Sequence, residues 1–213
     1  MKKTLIVSGG EIDLEFLMDT LNEGFNNIIA VDRGLEALNK INLYPNYIIG
    51  DFDSVRKEIL EKYNRDDIKI IKLNPEKDYS DTHMALKLAI ELKSNEVYIV
   101  GALGNRIDHA IANIHVMKEA LDIGIKCKII DKNNNIELIT TGENQIQKAE
   151  YKYVSLIPLT TQVTGITLKG FKYPLVNAQL SIGHSIGVSN EMIKQKATIV
   201  IKEGILIQIS SKD

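Results

Sequence analysis

Short apolar runs rich in isoleucine and valine alternate with amphipathic stretches over the first 130 residues of the chain. Residues 4–7, 27–31, 47–49, 68–73, 96–100 and 126–130 each read as a buried strand bounded by glycine or polar positions. Between them the hydrophobic period lengthens to that of a helix. In residues 82–92, Ala85, Leu88, Ala89 and Leu92 share one face, and in residues 107–121 so do Ile107, Ala110, Ile111, Ile114, Met117 and Leu121. Strand and helix in alternation predict an α/β fold, an open and mostly parallel sheet with helices on both faces.

The pattern then changes. The polar, turn-prone run Asp131-Lys132-Asn133-Asn134-Asn135 predicts a boundary, with an α/β domain over 1–132 and a smaller domain over 133–213. Beyond it come short apolar runs at 136–140, 151–156, 163–168, 175–180, 197–201 and 205–209. Breaks at Gly142-Glu143-Asn144, Gly165, Gly170, Gly183 and Glu203-Gly204 separate them. Close spacing with glycine turns predicts an all-β sandwich or barrel, and residues 198–209 read as a hairpin turning at Glu203-Gly204.

Composition narrows the function classes. A formal net charge of −2 provides no broad basic surface, so nucleic acid is not an expected partner. Cys127 is the only cysteine, which excludes intramolecular disulfides and cysteine-rich zinc sites, and its apolar alternation marks it as a core thiol. The first apolar run stops at Ser8-Gly9-Gly10-Glu11, short of the roughly 7–15 residues of a secretory core. No run approaches the roughly 18–20 residues of a membrane span. The expectation is a cytoplasmic protein without a membrane partner.

Candidate chemistry lies where the apolar runs end. Tyr47-Ile48-Ile49-Gly50 is followed by Asp51-Phe52-Asp53-Ser54, two carboxylates two positions apart. Asp32 follows the second run, Asp78 and Asp81 the fourth, and Asp108 the fifth. A parallel sheet gathers all these points on one edge, where several carboxylates repel one another unless a cation neutralises them. Mg²⁺, which takes one or two carboxylates together with phosphate oxygens, fits that pattern. Taken singly, Ser54, Ser80 or Asp108 reads equally well as a helix cap. Ser80-Asp81-Thr82 opens a helix whose free N–H groups suit a phosphate oxygen, and Lys77 and Arg106 are candidate phosphate partners. The G-x-x-x-x-G-K-[ST] phosphate loop is absent, Gly101-Ala102-Leu103-Gly104 is not a dinucleotide fingerprint, and the four histidines show no metal spacing. In the second half, Ser189 and Asn190 offer donors and acceptors for a heterocycle such as an aminopyrimidine, or form an ordinary turn.

These segments, taken in order, resemble the thiamine pyrophosphokinase family. Gly50-Asp51-Phe52-Asp53-Ser54 is similar to its G-D-[FL]-D-S, and Lys77-Asp78-Tyr79-Ser80-Asp81 with Ala85-Leu86 to its K-D-x-T-D…A-L. The segment from Gly101 through Arg106, Asp108 and His109 to Asn113 is similar to G-G-x-G-G-R-x-D-H…A-N, and Gly170-Phe171-Lys172-Tyr173-Pro174-Leu175 and Ser189-Asn190-Glu191 are similar to G-L-K-Y-P-L and S-N-E. Five motifs in sequence order are a specific match. The resemblance implies a nucleotide domain followed by a β-sandwich, and a homodimer with thiamine bound between subunits. It implies Mg²⁺-dependent pyrophosphoryl transfer from ATP to the thiamine hydroxyl, releasing AMP. Asp51, Asp53, Asp78 and Asp81 fall at its Mg²⁺ and catalytic positions. Lys77, Ser80, Arg106, Asp108 and Asp32 fall to the nucleotide and its phosphates, and Ser189 and Asn190 to the thiamine pyrimidine. Ala102 and Asn105 depart from the pattern by replacing glycines, Ser80 replaces a threonine, and the chain has no tryptophan to stack on the substrate. Two other readings stand beside this one. A haloacid-dehalogenase-like phosphatase would use Asp51 and Asp53 as nucleophile and acid. A thiamine- or nucleotide-binding sensor would use the same pocket without turnover.

Overall fold

The computed structural model describes residues 1–53, 55–74, 76 and 78–213. It divides into two compact units, Met1–Lys132 and Asn133–Asp213.

The first unit is the α/β fold that the periodicity predicts. Its elements are β1 (Lys3–Val7), α1 (Leu14–Leu21), β2 (Asn27–Val31), α2 (Gly34–Lys40), β3 (Tyr47–Gly50) and α3 (Lys57–Lys62). They continue with β4 (Lys69–Lys72), α4 (Asp81–Glu91), β5 (Glu96–Val100), α5 (Ile107–Asp122) and β6 (Lys126–Ile130). All six strands pair in parallel in the order β6-β5-β1-β2-β3-β4. Strands of a parallel sheet covered on both faces lose the alternation of a half-wet sheet, and Leu5, Ile6 and Val7 are all fully buried. On one face Leu5, Val7, Ala30 and Ile48 pack with Leu17 of α1, Leu35 and Leu38 of α2, and Ile59 of α3. On the other, α4 lies across β1, β2 and β3, and α5 packs on β6 and α4. The chain runs outward from β1 to β4 and then returns to β5 on the far side of β1. This reversal places the ends of β1 and β5 side by side, at the point where open α/β sheets hold ligands.

The second unit is strand-rich, as expected. It holds β7 (Asn134–Gln147), β8 (Tyr153–Pro158), β9 (Gln162–Lys169), β10 (Ala178–Ser181) and β11 (Lys196–Ser211). β11 pairs antiparallel with β7 along its whole length, with β9 through its first half and with β8 through its second. One strand thus serves two sets of partners around a core that includes Val154, Val163, Ile166, Leu180, Ile199 and Leu206. The hairpin predicted for 198–209 does not form. β11 runs through Glu203-Gly204 as one strand, with a register shift between Ile201 and Ile205. Gly142 in β7 sits opposite Ile201, and Gly142 and Gly204 have φ of 117° and 104°. Both strands therefore bend at one level, and the glycines that read as turns are a shared bulge.

Candidate functional site

Three loops at the carboxyl edge of the first unit's sheet approach one another closely, and glycine makes that possible. The Gly10 N–H donates to the Gly101 carbonyl at 2.9 Å, and the Ser8 N–H to the Val100 carbonyl at 2.8 Å. A Cβ on Gly10 would lie 2.4 Å from the Gly101 oxygen, and one on Gly34 would lie 1.9 Å from the Val7 oxygen. Backbone therefore meets backbone where β1, β2 and β5 end. The space left between them is a cavity of about 390 Å³. Its walls are Ser8-Gly9-Gly10 after β1, Asp32 and Arg33 after β2, Ser80, Asp81 and Thr82 at the start of α4, and Gly101, Ala102 and Gly104-Asn105-Arg106 after β5 with His109 and Asn113. Ser8 Oγ and Thr82 Oγ1 lie 3.0 Å apart and buried, which joins the end of β1 to the first turn of α4. Asn113 Nδ2 donates to the Ala102 carbonyl at 2.9 Å and fixes the β5–α5 loop.

Of the residues singled out in the sequence, Asp32, Ser80, Asp81 and Arg106 line this cavity. Asp32 holds φ at 44°, and its Oδ1 is buried and meets no hydrogen-bond donor. That oxygen lies so close to Gly50 that a Cβ there would come within 1.8 Å of it. Burial, then the charges of Asp81 and Asp51, push the Asp32 carboxyl up to about 7. Asp51 and Asp81, which follow different strands, thus act on the same half-buried carboxyl. The Asp51 carboxylate also accepts the Asp53 N–H at 3.0 Å, forming an Asx turn through Phe52, whose φ is 67°. Asp53 and Asp78 are exposed and do not line the cavity. Ser80 caps α4, its Oγ accepting the His83 N–H at 3.2 Å, so the capping reading and a place in the cavity wall hold together. Asp108 lies in the first turn of α5 and grips Arg106, with Nη2 to Oδ2 at 2.6 Å. This pair is exposed, and the guanidinium holds the Asp108 carboxyl below the usual carboxylate range. Lys77 and Ser54 lie outside the described residues.

Among the described residues, no three acidic, histidine or cysteine side chains are gathered at metal-holding distances. The chemistry at Asp32 nevertheless suits a cation: a buried oxygen without a donor, in the field of two further carboxylates. Arg33 was not singled out from the sequence. It lines both this cavity and an adjoining one of about 440 Å³ that it shares with Glu36 and Lys40. Its position directly after Asp32, at the end of β2, was the available signal.

In the second unit the two glycine-rich segments are bound together. The Asn190 carboxamide donates to the Tyr173 carbonyl at 2.7 Å and accepts the N–H groups of Tyr173 and Glu191 at 3.0 and 2.9 Å. Lys172 pairs with Glu191 at 2.9 Å. Asn190 is buried, and its side chain frames the 170–175 loop. Ser189 is exposed at φ 59°, its N–H donating to Ser155 Oγ at 3.0 Å.

Comparison with known proteins agrees with both units. A family model described as "Thiamin pyrophosphokinase, catalytic domain" matches residues 18–129, and one described as "Thiamin pyrophosphokinase, vitamin B1 binding domain" matches residues 143–206. The chain is 34% identical to the thiamine pyrophosphokinase of Bacillus subtilis, over the full length of both. It is 29% identical to thiamine pyrophosphokinase 1 of Arabidopsis thaliana, over 83% of this chain and 70% of the relative. The crystal structure of the Bacillus subtilis enzyme superimposes with a TM-score of 0.92 at 33% identity, covering 100% of each chain. That of a Geobacillus thermodenitrificans thiamin pyrophosphokinase does so with a TM-score of 0.88 at 31% identity, covering 99% of this chain and 98% of the other. A carboxylate-lined cavity at the reversal point of the sheet, a strand-rich second unit, and matches that span both make this chain an enzyme of the thiamine pyrophosphokinase family.

Proposed function

We propose that the chain transfers the pyrophosphoryl group of ATP to the hydroxyl of thiamine, giving thiamine diphosphate and AMP, with Mg²⁺ required. The observation that carries this reading is the cavity in which Asp32, Asp81 and the start of α4 face a glycine-walled floor. Backbone N–H groups at a helix start suit phosphate oxygens, and glycine walls let a polyphosphate approach the main chain. Asp51 and Asp81 are assigned to the metal, with Asp32 beside them, and Asp53 and Asp78 join them on the resemblance. Ser80, Arg106 and Asp108 are assigned to the nucleotide, as is Lys77 on the resemblance alone. When bound, the cation would neutralise charge on the β and γ phosphates and on the departing AMP.

The reaction is an in-line displacement. The thiamine hydroxyl oxygen forms a bond to the β-phosphorus, the bond from that phosphorus to the α–β bridging oxygen breaks, and AMP leaves with the electron pair. The hydroxyl proton passes to a carboxylate. Positioning does most of the work, since the protein contributes no covalent step. Arg106 can exchange one of its contacts with Asp108 for a phosphate oxygen at little cost, because the pair is solvated. In the second unit, Ser189 and the loop framed by Asn190 are assigned to thiamine. The exposed side chains of Tyr173, Val188 and Ile193 supply apolar surface beside them. A homodimer and a cytoplasmic location complete the reading; no helix among the described residues is long and apolar enough to cross a membrane.

The test uses ATP carrying a radiolabel on its γ-phosphorus. Label recovered in thiamine diphosphate, with unlabelled AMP, supports intact pyrophosphoryl transfer. Label recovered only as inorganic phosphate, or in thiamine monophosphate with ADP as the second product, overturns it.

A further inference from the structure

The segment that carries Asp78, Ser80 and Asp81 is held from behind, by a residue outside the site. Glu119, in the second half of α5, reaches across to α4 with both carboxylate oxygens. Oε2 lies 2.7 Å from His83 Nε2, and Oε1 lies 2.9 Å from Lys87 Nζ. His83 and Lys87 are four positions apart and so share one face of α4. A single carboxylate therefore fixes two points on that helix and sets both its rotation and its height against α5.

The tie extends past the start of α4. The Tyr79 ring meets the His83 ring edge-on, with centroids 4.8 Å apart, and Lys87 Nζ stands 5.0 Å from the Tyr79 centroid. The Ser80 Oγ accepts the His83 N–H. Tyr79 and His83 thus bracket Ser80, Asp81 and Thr82, which form one wall of the cavity. α5 begins just after Arg106, which also lines the cavity. Glu119 couples two packed helices whose starts both contribute to the site. Its own side chain is 37% exposed, too open for the ion pairs to be a large source of fold stability.

We infer that Glu119 is a positioning residue: it holds the start of α4 in the register that a divalent-cation–nucleotide complex requires. This rests on the proposed function of the cavity. Small displacements of groups that must converge on one ligand are expensive, whereas the same displacements scarcely alter the packing energy of two helices.

The experiment compares the parent chain with E119L, E119Q and a control, D122N. Asp122 pairs with Lys118 on the same helix, away from α4. Binding of Mg²⁺ with α,β-methylene-ATP is measured by calorimetry, melting is measured without ligand, and hydrogen exchange is followed over residues 78–84. We expect E119L to weaken binding about tenfold, as a misplaced group does. E119Q, which keeps the shape and one acceptor, should recover part of the loss, and D122N should bind as the parent does. Exchange at the His83 amide should quicken in E119L, while the ligand-free melting temperature changes little. Equal binding by E119L and the parent overturns the inference alone. So does a loss that simply follows a large fall in melting temperature or is shared by D122N. A parent chain that binds no nucleotide overturns the reading of the cavity and this inference with it.

Discussion

At the scale of single residues, Asp32 and Asp51 show what the sequence displayed and what it hid. The strand-end carboxylates were legible because a parallel sheet places all its strand ends on one edge. Their unequal roles were not, because burial and field are properties of the folded site. Asp32 has an orphaned buried oxygen and a carboxyl raised from 3.8 to about 7. A folded-state value above the unfolded one means that the fold holds the proton more tightly. The associated stability is therefore complete below pH 3.8 and is lost as the pH rises through about 7. Asp32→Asn removes this titration. In chelator, its stability relative to the parent should improve by about 1–2 kcal/mol between pH 4 and pH 8, after allowance for solvent screening of a partly open group. Denaturant melts at the two pH values measure it; an unchanged difference would contradict the assignment. Asp51→Asn is expected to abolish turnover, by at least about a hundredfold, with the melting curve preserved. Near-normal turnover would remove Asp51 from the site. Asn190 shows a role that the sequence hid: its carboxamide binds Tyr173 and Glu191 and frames the 170–175 loop, which no local pattern announces.

At the scale of elements, periodicity located the six strands of the first unit, with α4 and α5, to within a residue or so, but gave no bounds for the short helices α1, α2 and α3. Residues 27–31, 96–100 and 126–130 were read as strands and match β2, β5 and β6. Apolar side chains there face a core on both sides, so propensity and burial agree. The second unit failed at Gly204, because a glycine within an apolar run signals a bulge as well as a turn, and only the partner strand decides between them. The paired bend makes a prediction. Gly142 and Gly204 both have positive φ, but a Cβ at Gly142 meets nothing within 4 Å, whereas at Gly204 it lies 2.9 Å from the Gln162 carbonyl. Gly204→Ala should therefore be more destabilising than Gly142→Ala by about 1–2 kcal/mol. Equal melting temperatures for the two variants would count against the crowded bulge. Gly34→Ala makes a harder demand. Its Cβ would lie 1.9 Å from the Val7 oxygen, so α2 must shift off β1, at a cost of about 2–3 kcal/mol. Retention of parental stability would contradict that close approach.

At the scale of the whole molecule, the two units divide the labour that the motifs divide along the chain. The first offers carboxylates, a helix start and glycine walls; the second offers a framed polar loop with apolar side chains beside it. Val176, Ile182 and Ile186 of the second unit also expose 64% or more of their surface, apolar area of the kind that a second copy covers. Light scattering that shows a monomer at working concentration would remove the homodimer from the account. The central claim is the reaction itself. Its most direct measurement is AMP release by the purified chain with ATP and Mg²⁺, in the presence and absence of thiamine. The account predicts AMP only with thiamine, one for one with thiamine diphosphate, and none in chelator. AMP formed equally without thiamine, or phosphate released from small phosphomonoesters with no AMP at all, would contradict it.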